Sequence, residues 1–164
     1  HYDVLDEKEE MGFFKVRIRA FIRPGEVPRP AVPPSTDVRF SLTVKGTGLS
    51  DEDLGASAST AIRRELLAQG FNMADSTDSW SMQGDAAAVP ILDARLGSFH
   101  SARAHVSLRV VEPKTQAVVW ETSQEASALG LDPGSAALAA AQAAGMLVGR
   151  QAAGEVSEVL WKQF

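Results

Sequence analysis

The feature that most constrains this chain is a change in its hydrophobic period. Val38, Phe40, Leu42 and Val44 occupy every second position, and Arg39, Ser41, Thr43 and Lys45 lie between them. Side chains alternate across a strand, so this pattern predicts a strand with one buried face. Beyond Gly46 and Gly48 the period lengthens, and Leu54, Ala58, Ala61, Ile62 and Leu66 recur at spacings of three and four. That is the apolar stripe of a helix. Ser50 is placed to cap it, Asp51, Glu52 and Asp53 sit beside its positive end, and Gly70 stands where a left-handed cap closes such an element. The helix is therefore predicted over Asp51 to Gln69.

Phe71 and Met73 read as a brief strand, followed by a polar run from Asp75 to Asp85 that reads as a surface loop. Trp80 and Met82 are the apolar exceptions in that loop. Leaving each in water forfeits about 2 kcal/mol, so they either fold back, the favoured reading, or anchor a partner. If the loop carries a partner-binding site, its residues are Trp80 and Met82. A hairpin is predicted next, with strands over Pro90 to Phe99 and Ala102 to Val111 and a tight connection at Ser98 to Ser101. In the second of these, Ala104, Val106, Leu108 and Val110 face inward, and Arg103, His105, Ser107 and Arg109 face outward. Glu112 to Gln116 forms a turn, and Ala117 to Glu121 returns as a last strand.

After Asp132, Pro133 and Gly134, an alanine-rich segment without internal proline runs from Ser135 to about Lys162 and predicts a long terminal helix. Its apolar stretch, Ala136 to Val148, is shorter than the roughly 20 residues a bilayer span needs, so it reads as a core helix. Gly145 and Gly149 mark a close approach, expected to be onto the sheet. Upstream, Phe14, Val16, Ile18, Ala20 and Ile22 alternate with other residues as a strand, and Pro24, Pro28, Pro30, Pro33 and Pro34 stiffen the adjoining stretch into a spacer. The expected organisation is residues 1–23 as an appended strand or the closing strand of a preceding small domain, 24–36 as a Pro-rich linker, and 37–164 as the main domain. The expected fold class is α+β, a sandwich of a mixed, largely antiparallel sheet of about five strands with two helices packed on one face.

Of 164 residues, 45% are hydrophobic, enough for one real core. Sixteen Lys+Arg against 21 Asp+Glu give a formal charge of -5, so the chain as a whole lacks the positive field that draws nucleic acid. No cysteine is present, which removes disulfides, thiolate metal sites and a thiol nucleophile together. His1 to Glu10 is too polar and acidic for a signal peptide, so any export signal is expected upstream, in a part absent from this chain.

Candidate chemistry is sparse. His100 and His105 with Asp93 offer a conceivable metal pair, but too few ligands accompany them. Asp75, Asp78 and Asp85 lack the spacing and central glycine of a calcium loop. No nucleophile elbow, metalloprotease helix, phosphate loop or dinucleotide fingerprint occurs. The basic residues Lys15, Arg17, Arg19 and Arg23, with Arg63 and Arg64, read as a solvated face or blunted sheet edge ahead of an anion site. No metal and no cofactor is expected.

The segment EPKTQAVVW, Glu112 to Trp120, resembles the last hairpin of bacterial envelope proteins, with Thr115 and Trp120 in the pattern's Thr and Trp positions, Glu112 for its Asp and Gln116 for its Gly. The order of elements from about Asp37 to Phe164 is similar to domains of the flagellar assembly protein T family, the TolB N-terminal domain and the curli secretion lipoprotein CsgG. This resemblance implies a periplasmic or outer-membrane setting and a scaffolding role, and does not imply catalysis; the accompanying expectations are a periplasmic location with outer-membrane anchoring through a missing N-terminal part, an envelope protein partner or a second copy of the chain, and no enzymatic activity. Two other readings stand beside it: a binding domain for a small envelope ligand of glycan type, and a hydrolase using Asp93, His105 or Glu121.

Overall fold

A computed structural model describes residues 2–10, 13–20, 38–47, 51–74 and 79–163. The Pro-rich linker, Arg23, the expected cap Ser50, and Asp75 and Asp78 lie outside the described residues. Near the N-terminus, β1 (Tyr2–Glu10) and β2 (Phe13–Ala20) form an antiparallel pair, with Arg17 in register with Asp6 and Arg19 with Asp3. The acidic opening segment is thus a strand in its own right, which its composition does not announce.

The main sheet has five strands in the order β4-β3-β5-β6-β7. β3 (Arg39–Thr47) runs parallel to β4 (Asn72–Met73) and to β5 (Trp80–Ile91), and β5, β6 (His100–Val111) and β7 (Val118–Gly130) form an antiparallel meander. Helices α1 (Asp51–Ala68) and α2 (Pro133–Gln163) lie against one face, α1 over β3 and α2 over β6 and β7. This is the expected α+β class. α1 closes as predicted, with Gly70 at φ 84°, a left-handed conformation that glycine adopts without a steric penalty.

Three element boundaries differ from expectation. β5 begins at Trp80, inside what reads as a loop. The β5–β6 connection is longer than a tight turn and contains a short 3-10 turn, Ala94–Leu96, capped by Asp93, which accepts from the Arg95 backbone N–H at 3.0 Å. β7 runs 13 residues to Gly130 rather than ending near Glu121.

The core takes its inward residues from every strand of the meander. Phe40, Leu54, Ile62, Leu66, Met82, Val106, Leu108, Val110, Val148 and Val156 are buried. Phe40 packs a tilted ring on Phe71 at 5.2 Å and on Trp80 at 6.4 Å, inside the range where aromatic pairs add stability beyond their area. Where α2 starts, alanine fills the interface: Ala136, Ala140, Ala141 and Ala144 belong to the same core as Ala102, Ala104, Ala126 and Ala128 of β6 and β7. Small side chains on both surfaces let helix and sheet approach closely, and dispersion contacts replace bulk. Farther along, the contact is polar. Trp120 Nε1 donates to Glu155 at 2.8 Å, while Thr122 and Gln124 donate to Gln151 Oε1 at 2.8 and 2.7 Å.

Gly145 and Gly149 do mark a close approach, but the partner is α1 and not the sheet. A Cβ on Gly145 would stand 2.8 Å from the Ala58 carbonyl oxygen, and one on Gly149 3.1 Å from Ile62 Cα. The two helices therefore meet backbone to backbone. Arg150 Nε reinforces the pair by donating to Glu65 at 3.1 Å. Arg64 is likewise engaged, with Met146 Sδ at 3.2 Å and Glu65 at 3.5 Å.

Candidate functional site

Trp80 and Met82 are not loop residues. They are the first and third residues of β5, 8% and 0% exposed, and they point into the helix-covered core. A side chain so buried offers a partner no surface, so the assignment of Trp80 and Met82 as partner-binding anchors is corrected: their apolar area is sequestered by folding itself. A trace of this was present in the sequence, where Trp80, Met82, Gly84 and Ala86 alternate with Ser81, Gln83, Asp85 and Ala87.

Those alternating partners lead to the surface that remains open. With both helices on one face, the opposite face of the sheet is built from the outward residues of β3, β5, β6 and β7. Strand register arranges them in cross-strand rows. One row runs Thr43, Gln83, Arg109, Glu121, the next Lys45, Asp85, Ser107, Ser123, and a third Thr47, Ala87, His105, Glu125. Each row thus sets a basic or imidazole side chain near a carboxylate, an arrangement that stabilises a sheet by a few tenths of a kcal/mol per pair.

Across the middle rows the face forms a half-open hollow of about 480 Å³, lined by Gln83, Asp85, His105, Arg109, Glu121 and Ser123 among others. Arg109 Nη2 donates to Gln83 Oε1 at 2.9 Å, and the Gln83 amide donates to Ser81 Oγ at 3.2 Å, so the guanidinium is oriented by a neighbouring strand. His105 Nδ1 lies 3.7 Å from Glu125 Oε1. The hollow can take hydrogen-bonding groups of either charge. Register alone creates it, because no two of its strands carry their contributing residues close together in sequence.

Of the residues weighed for hydrolysis, His105 and Glu121 both line the hollow, two cross-strand rows apart, and Asp93 lies outside it. Asp93 sits in the β5–β6 connection, held 2.7 Å from Arg95, whose hydrogen bonds keep its carboxyl below the usual aspartate range. The carboxylate beside His105 is Glu125, and Glu121 lies four residues earlier on β7, about 13 Å along a strand at its usual rise. His100 and His105 are five positions apart on β6 and therefore face opposite sides of the sheet. Among the described residues no three His, Asp or Glu side chains cluster as metal ligands. No described helix is long and apolar enough to cross a membrane.

The Glu112–Ala117 turn explains its own pattern. Glu112 N donates to the Ala117 carbonyl at 3.0 Å, Thr115 Oγ1 donates to Glu112 and accepts from Ala117 N at 3.3 Å, and Gln116 adopts φ 58°. That left-handed position is where the resembling pattern carries Gly. A bulge at Val119 then turns Trp120 inward, opposite Val110.

No protein-family model matches the chain, and no curated protein matches its sequence. Solved structures do match its architecture. A Helicobacter pylori protein named as a homolog of the neuraminyllactose-binding hemagglutinin aligns over 84% of this chain and 94% of its own, with a TM-score of 0.52 and 13% identity. A hypothetical protein of Chlamydia trachomatis aligns over 76% of this chain and 98% of its own, with a TM-score of 0.50 and 12% identity. A Caulobacter crescentus protein assigned as a lipoprotein covers 76% and 88%, at a TM-score of 0.40 and 16% identity.

Proposed function

We propose that this chain is a non-catalytic module of a bacterial envelope lipoprotein that docks a protein partner on the open face of its sheet. The observation that carries the reading is that face: among the described residues the five strands are covered by helices on one side only, with charged rows and a half-open hollow on the other. Catalysis is disfavoured because Asp93 lies outside the hollow, paired with Arg95, and Glu121 stands two rows along β7 from the row of His105. The envelope setting, with export to the periplasm, draws support from the resemblance of the Glu112 to Trp120 turn to the last hairpin of bacterial envelope proteins, and from an order of elements over about Asp37 to Phe164 similar to flagellar assembly T, TolB and CsgG domains. It also agrees with an architecture found in the Helicobacter pylori hemagglutinin homolog.

The test compares the full chain with an Arg109→Glu, Glu125→Lys variant. Both changes reverse charge on exposed side chains, so the melting temperature should hold. A protein captured from envelope extract by the native chain, once purified, should bind the variant at least tenfold more weakly, the order expected for losing an interface arginine. Equal affinity removes the open face from consideration.

A second reading has its own observation. The hollow's volume falls within the roughly 300–1,000 Å³ of small-molecule sites, and Arg109 is pre-oriented there as a carboxylate or hydroxyl donor. A small anionic glycan would fit that chemistry. Neuraminyllactose titrated into the labelled protein would shift the amides of β5 and β6 around Gln83 and Arg109 if this reading holds, and Arg109→Ala would abolish the shifts.

A further inference from the structure

The two edges of the main sheet differ. One is closed by β4, 2 residues long, and the other by β7, 13 residues from Val118 to Gly130. In an antiparallel strand every second residue turns its N–H and C=O away from the neighbour it already has. Among the described residues no strand pairs with the outer side of β7, which is therefore a row of open backbone groups. Proteins blunt such an edge with proline, lysine or bulges. β7 contains no Pro, Lys or Arg, and its bulge lies at the Val118 end, leaving Trp120 to Gly130 in unbroken register with β6. Its helix-side residues Thr122, Gln124, Ala126 and Ala128 are only half-buried, whereas Ala104, Val106, Leu108 and Val110 of β6 are fully covered. The sheet and its helical layer both stop short at this edge.

We infer that β7 pairs with β7 of a second copy of the chain, antiparallel about a two-fold axis through Gln124, so that the two sheets become one. The first argument is self-complementarity. On the open face β7 alternates Glu121, Ser123, Glu125 and Ser127. Residues directly opposite in an antiparallel pair share a face, and with the axis on Gln124 each Glu meets a Ser, Glu121 the second copy's Ser127 and Glu125 its Ser123. An axis on Ser123 or Glu125 would set Glu against Glu. On the Gln124 axis like carboxylates meet only diagonally, at about 7–8 Å, and each has a cross-strand partner on its own β6, Arg109 opposite Glu121 and His105 opposite Glu125.

The second argument comes from α2. This helix lies over β6 and β7, and with strands about 4.8 Å apart the two copies of α2 would stand about 10 Å apart across the axis, the spacing of packed helices. Leu147, 41% exposed, is two residues from both Gly145 and Gly149, which face α1. Two residues turn a helix by about 200°, so Leu147 points away from α1, toward the open edge. Its level also fits. Gln151, one turn farther along, accepts from Gln124 at 2.7 Å, which sets Leu147 within about 5.4 Å of the axis. Leu147 of one copy therefore meets Leu147 of the other, and Ala143, one turn earlier on the same side, is small enough to allow the approach. An unrelated extended segment would satisfy the backbone of β7 but leave Leu147 uncovered. The hollow on the open face stays uncovered in this pairing, so self-association and partner docking are separable.

The experiment is sedimentation velocity of the full chain over a dilution series, which should show a monomer–dimer equilibrium. Leu147→Arg sets like charges against each other at the axis and should raise the dimer dissociation constant at least tenfold, with an unchanged circular dichroism spectrum. Because the chain has no cysteine, cross-linking reads the register directly. Gln124→Cys puts its thiol on the axis, where opposed Cα atoms stand about 4.5–5.5 Å apart, so mild oxidation should link the copies. In Ser127→Cys the two thiols are about 20 Å apart along the paired strands and should stay free. A chain that remains monomeric overturns the inference and leaves the edge to an extended segment of another protein. A dimer that Leu147→Arg leaves intact, or Ser127→Cys linking as readily as Gln124→Cys, overturns it as well.

Discussion

Gly145 and Gly154 lie on the same helix and have the same intrinsic deficit, yet alanine should act in opposite directions at the two positions. In a helix interior, glycine costs about 1 kcal/mol relative to alanine through backbone entropy. At Gly154 a Cβ would meet nothing within 4 Å, so Gly154→Ala should recover most of that and stabilise by about 0.5–1 kcal/mol. At Gly145 the same atom would stand 2.8 Å from the Ala58 carbonyl oxygen and 3.0 Å from Ala58 Cα, both backbone. No rotamer change relieves that clash, so α1 and α2 must separate, at an overpacking cost of about 1–3 kcal/mol. The net for Gly145→Ala is a loss of up to about 2 kcal/mol, and the two variants should differ by about 1–3 kcal/mol. Gly149→Ala, whose nearest atoms are Glu65 Cβ at 3.0 Å and Ile62 Cα at 3.1 Å, should fall between them. Urea unfolding followed by circular dichroism measures all three, with an unchanged slope against denaturant as the check that only stability moved. If Gly145→Ala stabilises as much as Gly154→Ala, the helices do not meet backbone to backbone and the assigned α1–α2 packing is wrong.

Met82→Ala should cost about 2–5 kcal/mol and Trp80→Ala about 3–5, values of core truncation, whereas a surface-loop anchor would leave thermal unfolding within about 0.5 kcal/mol of native. The Glu155 carboxyl is held below its ordinary value by the hydrogen bond from Trp120 Nε1, with the Gln151 amide adding to it. Its folded-state value lies below its unfolded one, so its contribution to stability is present at neutral pH and is lost as pH falls through that lowered value. Trp120→Phe should therefore raise the Glu155 titration midpoint, read by carboxyl NMR, toward an ordinary glutamate. Gln116→Gly should leave stability unchanged or raise it by up to about 1 kcal/mol, because glycine accepts φ 58° without strain but loses more entropy on folding; a clear destabilisation would argue against the left-handed turn.

Elements whose two faces differ sharply in polarity were legible in the sequence. β3 and β6 show strict alternation because one face meets the core and the other meets water, and α1 shows its stripe and its closing glycine for the same reason. β5 was obscured because glycine takes one of its inward positions and its outward residues, Ser81, Gln83 and Asp85, belong equally to loops. β7 beyond Glu121 was obscured more deeply. Its inward residues are Thr122, Gln124, Ala126 and Ala128, which match the polar and alanine surface of α2 and carry no hydrophobic period of their own. The site suffered likewise. Trp80 and Met82 drew attention as large apolar residues among polar ones, while the open-face residues Gln83, Asp85, Arg109 and Glu121 looked like ordinary strand exteriors until register set them around one hollow.

By itself, then, the sequence determined the α+β class, the position of both helices, the inward residues of β3 and β6, and the lack of the usual catalytic motifs, all of which are encoded in the local spacing of polar and apolar side chains. The tertiary structure decided which surface Gly145 and Gly149 approach, how far β7 extends, that Trp80 is core, and which charges share a row across four strands. Those outcomes depend on what packs against each residue, and a partner drawn from distant positions of the chain leaves no mark on the periodicity of its own segment.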